Sequence, residues 1–229
     1  MYRIVFSVCM VLLTLQGCAT QMATAKHHQS AAKLPSNFVY IPVDVKVSKF
    51  GVGSLTEMPD QSAQAREMVS REIKKYISEN LDSIPLELRE ISGEDHELVS
   101  EYTGLYDITA GAAIQSQTAG AGWQHKQKKF DYTLGPGVSF IKEYTDSNTA
   151  LFVVGQNYIS TGGRKLTAFF AAALGVVVPL GHSFLHVGFV DLDSGKILWT
   201  NSVFSQTLNL RDQQNVESIV KTLFQSYSS

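Results

Sequence analysis

The chain has 229 residues, a formal net charge of -2, 44% hydrophobic residues and 17% charged residues. That much apolar content fills a core and excludes a disordered chain. A balance so close to neutral gives no electrostatic footprint for nucleic acid, and none is expected as a partner.

Arg3 precedes an apolar run from Ile4 to Leu15, which closes on Leu15-Gln16-Gly17-Cys18. A basic start, an apolar run of about 7–15 residues and a small residue at the cut describe a secretory signal peptide. The run is about half the roughly 20 residues that a spanning helix needs. The closing stretch resembles the lipobox of bacterial lipoproteins. That resemblance implies cleavage before Cys18, a diacylglycerol on the Cys18 thiol, and an acyl chain such as palmitate on the freed amino group. Ala19 rather than Asp follows, which by the same resemblance implies the outer membrane and its periplasmic face. The expected division is therefore a signal peptide over 1–17, a flexible tether over 18–37 and one periplasmic domain over 38–229. Cys9 leaves with the signal peptide and Cys18 is taken by lipid, so the domain has no thiol for a disulfide, a nucleophile or a metal.

From Ala19 to Asn37 the residues are mostly Ala, Thr, Gln, Ser, His and Lys, without apolar periodicity, and read as coil. His27 and His28 lie in that polar stretch and read as solvated rather than as metal ligands. Phe38, Tyr40, Val43, Val45 and Val47 mark a strand, and Pro42 within it calls for an edge position or a bulge. Pro59 and Asp60 open a helix whose apolar face is Ala65, Val69, Ile73, Tyr76, Ile77 and Leu81. Leu86, Leu88 and Ile91 suggest a second short strand after Pro85. Glu94 and Asp95 start another helical stretch containing Leu98, Tyr102, Leu105 and Ile108.

Thr109 to Lys129 reads as the least structured part, rich in Gly, Ala, Gln and Ser. It ends in a candidate basic patch, Lys126, Lys128 and Lys129, beside Trp123. Asp131 is expected to accept hydrogen bonds from the turn after it. A short helix follows through Val138 and Ile141. Ala150 to Ile159 is a strand, and Ser160 to Arg164 a turn. Phe184 to Val190 and Lys196 to Val203 form a hairpin about the turn Asp191-Leu192-Asp193-Ser194-Gly195. Arg211 to Tyr227 is a closing helix with Val216, Ile219, Val220, Leu223, Phe224 and Tyr227 on one face. The fold class is α/β (α+β): a mixed sheet of about five strands with packed helices, in the order β-α-β-α-β-(helix)-β-β-α.

That order, Ala150-Leu151-Phe152-Val153, Phe130-Asp131-Tyr132-Thr133-Leu134-Gly135 and the stretch from Val190 to Trp199 resemble a group of uncharacterised proteobacterial lipoproteins. More distantly the chain is similar to the periplasmic α/β domain of the curli secretion lipoprotein and of related outer-membrane lipoproteins. The resemblance spans most of 38–227, and its motifs specify a fold and imply no activity.

The chemistry-bearing patterns are weak. Gly162-Gly163-Arg164-Lys165 lacks the spacing of a phosphate loop, and Ser160 is in no nucleophile elbow. His182 and His186, four apart on a strand, stand about 13 Å from each other, too far to share a metal. Asp191 and Asp193 are explained by their turn. No catalytic residue, cofactor or metal is expected. Leu166 to Leu180 is uncharged and mostly apolar. It has three readings: a core helix, a surface for self-association or an envelope protein partner, and an interfacial membrane contact. In the last two, Leu166, Phe169, Phe170 and Leu174 form the surface. The function expected is a non-enzymatic, membrane-anchored accessory or assembly component of an envelope complex. A lipid or small-ligand carrier using 166–180 and an envelope enzyme acting on peptidoglycan are the alternatives.

Overall fold

A computed structural model of the chain describes residues 21–26, 35–51, 53–91, 93–117, 125–126, 129–173 and 180–225. In chain order the elements are β1 (Gln21–Lys26), β2 (Asn37–Tyr40), β3 (Asp44–Phe50), β4 (Leu55–Glu57), α1 (Pro59–Asn80), β5 (Ile84–Glu87) and α2 (Glu94–Gln117). A 3-10 helix (Pro136–Tyr144), β6 (Thr149–Ser160), α3 (Gly162–Ala173), β7 (Gly181–Asp191), β8 (Ile197–Ser205) and α4 (Gln213–Gln225) follow. The strands form one mixed sheet in the order β1-β8-β7-β6-β2-β5, with β3 also on β6 and β4 on β3.

The long strand β6 organises the sheet. Its first half pairs in parallel with β2 and its second half with β3. Tyr40 faces Leu151 and Asp44 faces Val154, so four steps on one side meet three on the other. The extra residue is a bulge at Pro42, which has no N–H to give the ladder. Of the two expectations for Pro42 the bulge holds. Neither half is an edge, because β5 flanks β2 and β4 flanks β3.

The class is as expected, but three strands were not read from the sequence: β1, β4, and the second piece made by the break at Pro42. The short strand placed at Leu86 to Ile91 sits earlier, at Ile84–Glu87, with Pro85 tolerated in an edge strand. Gln21–Lys26, read as part of a flexible tether, is a strand antiparallel to β8. Backbone N–H and C=O groups at a sheet edge accept an extended chain of almost any composition, so side-chain pattern gave no sign of it.

Alternation along β6 supplies two cores. Leu151 and Val153 face α1 and α4, joined by Val45, Val47, Phe189 and Trp199. Ala150, Phe152 and Val154 face the other side, with Val39, Ile41, α2 and the 3-10 helix. With both faces covered, the middle of β6 is apolar at consecutive positions. The face predicted for α1 is confirmed: Ala65, Val69, Ile73 and Ile77 are fully buried. Two polar residues are buried with them. Ser62 Oγ accepts the Val47 N–H at 2.9 Å, and Glu72 Oε1 accepts from Gln213 Nε2 at 2.6 Å, tying α1 to α4. Val216, Ile219, Val220, Leu223 and Phe224 of α4 are buried as predicted, whereas Tyr227 lies outside the described residues.

α2 is a correction. It continues through Gly104 and Gly111 to Gln117, across residues expected to be irregular. Its buried face is Val99, Thr103, Tyr106, Ala110, Ala113 and Ile114, while Leu105 and Ile108 point to solvent, Ile108 at 74% exposure. Small residues let the helix lie close to the sheet. Tyr106 then stacks on Phe152 at 5.2 Å and shares a hydrogen bond with the Thr200 hydroxyl at 2.9 Å.

Two segments quoted above for the family resemblance touch each other. Leu134 N–H donates to Gly195 O at 2.8 Å, and Ile197 N–H donates to Tyr132 O at 3.0 Å. The turn between β7 and β8 holds itself: Asp191 Oδ1 accepts from Ser194 N at 2.8 Å and from Ser194 Oγ at 2.5 Å. Asp191 therefore has the structural role expected of it.

Candidate functional site

α3 begins where Thr161 Oγ1 accepts the Arg164 N–H at 3.2 Å, so the stretch read as a turn is a capped helix start. Thr161 N–H reaches back to Phe50 O at 3.1 Å, and the Arg164 guanidinium sits 4.0 Å from the centroid of the Phe50 ring. From Phe50 a line of rings crosses four strands. Phe50 to Tyr158 is 6.3 Å, Tyr158 to His182 is 4.7 Å and His182 to Phe204 is 5.2 Å. α3 rises from this end of the sheet, between β6 and β7.

The core-helix reading of 166–180 fails for the described part. Only Ala168 of α3 is buried. Leu166, Phe169 and Phe170, at spacings of three and four, form one face that is open to solvent, with Phe169 at 69% and Phe170 at 59% exposure. Leu180, where the chain re-enters β7, is also exposed. Leu174 lies outside the described residues. Apolar composition identified the helix, but the sequence has no mark that says whether such a face meets a core or a partner.

A second feature has no counterpart in the sequence reading. A cleft of about 620 Å³ opens beside the Pro42 bulge. Val43, Val99, Leu88 and Ile91 supply apolar lining, and Lys46, Arg66 and Arg89 supply cations, with Asp44 and Glu90 also present. Arg66 donates to Val45 O at 3.4 Å, and Arg89 to Glu143 O at 3.0 Å. Lys46 lies 3.4 Å from Asp44. The cleft joins residues from β3, α1, the β5–α2 connection and α2, so no local spacing pointed to it.

His186 stands on β7 with its ring against Phe184 at 4.8 Å, and its Nε2 is 3.8 Å from Asp107 Oδ1 on α2. Its Nδ1 is buried without a hydrogen-bond partner. Burial holds its pKa down at about 4. The unfolded histidine therefore takes its proton first as pH falls from about 6.5, and stability declines between about 6.5 and 4. Burial raises the Asp107 carboxyl, with Asp44 adding to the shift and Lys46 opposing it, and this acts in the opposite sense over its own range. The unfolding free energy from urea titrations should fall from pH 7.5 to pH 5 at a slope below about 1.4 kcal/mol per pH unit. His186→Leu should reduce that fall.

In the candidate basic patch, one carboxylate offsets part of the charge. Asp131 pairs with Lys126, and with Lys129 at 3.3 Å, and Lys126 also lies 4.9 Å from the Tyr132 ring centroid. The two lysines hold the Asp131 carboxyl below its usual range. Asp131 thus serves the lysines before it, whereas Thr133 Oγ1 accepts the Gly135 N–H at 2.9 Å and supports the turn that follows. Lys128, Trp123, His27, His28 and Cys18 lie outside the described residues. Asp193 pairs with Lys142. Among the described residues no group of three or more His, Cys, Asp or Glu is arranged to hold a metal.

No family model matches the chain, and no curated protein matches it. Among solved structures, the chain aligns with a PelC dodecamer from Paraburkholderia phytofirmans at 9% identity and a TM-score of 0.37, covering 92% of this chain and 99% of that one. A single-residue variant of that PelC dodecamer aligns at 8% identity and the same TM-score, covering 92% and 98%. Likeness at this level specifies no shared function.

Proposed function

We propose that the chain is a lipoprotein of a bacterial outer membrane, acylated at Cys18. It works without catalysis, as an accessory or assembly component of an envelope complex on the periplasmic side. The observation that carries this reading is Leu15-Gln16-Gly17-Cys18 at the end of the apolar run from Ile4. Two or three acyl chains on one residue, at about 0.8 kcal/mol per buried methylene, make release from a bilayer negligible. The exposed face of α3 supports a contact role, because large apolar side chains rarely cluster on the surface of a protein that meets nothing.

Mass spectrometry of the mature protein purified from membranes tests the reading. The expected N-terminal peptide begins at Cys18 with a diacylglycerol thioether and an amide-linked acyl chain. A free sulfhydryl on an otherwise normal N-terminus would overturn it.

One observation favours a second reading, a small-ligand carrier. The cleft beside Pro42 falls within the roughly 300–1,000 Å³ common for ligand sites, and its apolar lining with charged groups of both signs suits a small amphiphile. This moves the carrier idea from 166–180 to the cleft. Native mass spectrometry of the same sample would show a bound small molecule on this reading and none on the first.

A further inference from the structure

The sheet register brings together features that are far apart in sequence. β6 and β3 both end at one side of the sheet, where Phe50 faces Ser160. β7 starts there, with Gly181 facing Ile159, and β8 finishes there, with Ser205 facing Ser183. β1 begins at the same side, with Gln21 facing Phe204. Cys18 is three residues before Gln21. Three residues reach at most about 10 Å, so an acyl anchor at Cys18 stays within that distance of this sheet end while β1 is paired.

The same end carries the exposed apolar surface. Leu55, which faces Phe50 across β3 and β4, and Leu166, Phe169, Phe170 and Leu180 are all exposed here. They are five of the eight large exposed apolar side chains among the described residues. The cations nearby in sequence are Lys49, Arg164 and Lys165, and no Asp or Glu stands between Asp146 and Asp191. An apolar helical face flanked by Arg and Lys is the composition of a helix that lies in a bilayer interface. No described helix is long and apolar enough to cross a membrane.

We propose that α3 and Leu55 dock on the leaflet that holds the Cys18 acyl chains. The apolar face of α3 enters the headgroup boundary, and Arg164, Lys165 and Lys49 meet lipid phosphates. The domain is then held at two points and keeps one orientation, with the β7–β8 turn directed away from the bilayer. This deepens the reading given under the proposed function and rests on acylation at Cys18.

The test uses the full acylated protein in vesicles of phosphatidylethanolamine and phosphatidylglycerol, some containing brominated acyl chains. Phe169→Trp places an emitter on α3, and Asp193→Trp places one at the opposite sheet end. Each is compared with the parent protein to subtract native tryptophan emission. Brominated lipid should quench the added emission of Phe169→Trp about twofold and leave that of Asp193→Trp unchanged, since an interfacial helix face sits about 5–10 Å into the boundary. Equal quenching of both, or of neither, in a protein that mass spectrometry shows to be acylated overturns the docking and leaves the lipoprotein reading standing. A Phe169 position that cross-links between copies and is not quenched also overturns it, in favour of self-association. A protein without an acyl adduct overturns both.

Discussion

Replacing Phe152 with alanine is expected to lower the unfolding free energy by about 3–5 kcal/mol. Phe152 lies in the middle of β6 and is fully buried. Its ring stacks on Tyr106, and that tyrosine is fixed in turn by the Thr200 hydroxyl on β8. Truncation leaves a ring-sized void between β6 and α2. Strand β6 is paired on both sides, so it cannot move in to fill the space. This pair of rings joins α2 to the centre of the sheet, so the helix should lose amide protection along with the global loss. The matched substitution Phe169→Ala removes the same atoms from an exposed position and should change stability by no more than about 0.5 kcal/mol. Urea denaturation of the two variants measures the contrast. Equal losses would mean that α3 packs into the core and would contradict the exposed placement.

Gly195→Ala should cost more than about 2 kcal/mol, for two reasons that add. Gly195 has φ +70°, a conformation that side chains disfavour. A Cβ there would also lie 2.1 Å from Gly135 O, a backbone atom that cannot rotate away. Relief requires the segment before the 3-10 helix to lift off the β7–β8 turn. That breaks the bonds from Leu134 N–H to Gly195 O and from Ile197 N–H to Tyr132 O. Gly53→Ala is the control. It has φ +78° but no atom within 4 Å of the added Cβ, so only the conformational cost of about 1 kcal/mol remains. Hydrogen exchange should show lost protection at Leu134 and Ile197 in the first variant and not in the second.

The parts of the fold legible in the sequence are those where one pattern has one cause. α1 and α4 bury faces of large apolar residues at helical spacing, and β6, β7 and β8 show strand-length apolar runs with a turn that names its own residues. α2 departs from the expectation because small residues, Thr103, Ala110 and Ala113, fill the gaps between Val99, Tyr106 and Ile114 on its inner face, while Leu105 and Ile108 face out. A reading that seeks large apolar side chains picks the wrong side of such a helix. β1 was missed because pairing to an edge uses the backbone. The cleft was invisible because it exists only where the Pro42 bulge, α1 and the start of α2 converge. For α3 the apolar stretch leaves three environments open, and the exposure of Leu166, Phe169 and Phe170 closes the first of them.

Under the proposed acylation of Cys18, strand β1 sets how closely the domain is leashed. While its six residues stay on β8, only Ala19 and Thr20 lie between Cys18, the position proposed to be acylated, and the sheet. If that strand lets go, sixteen residues, 19–34, separate Cys18 from Pro35. A coil of that length averages about 20–24 Å end to end, so the body would stand clear of the bilayer. The same event bares the outer rim of β8 to any extended segment nearby. Stand-off height and an open rim are thus two outcomes of one peeling step.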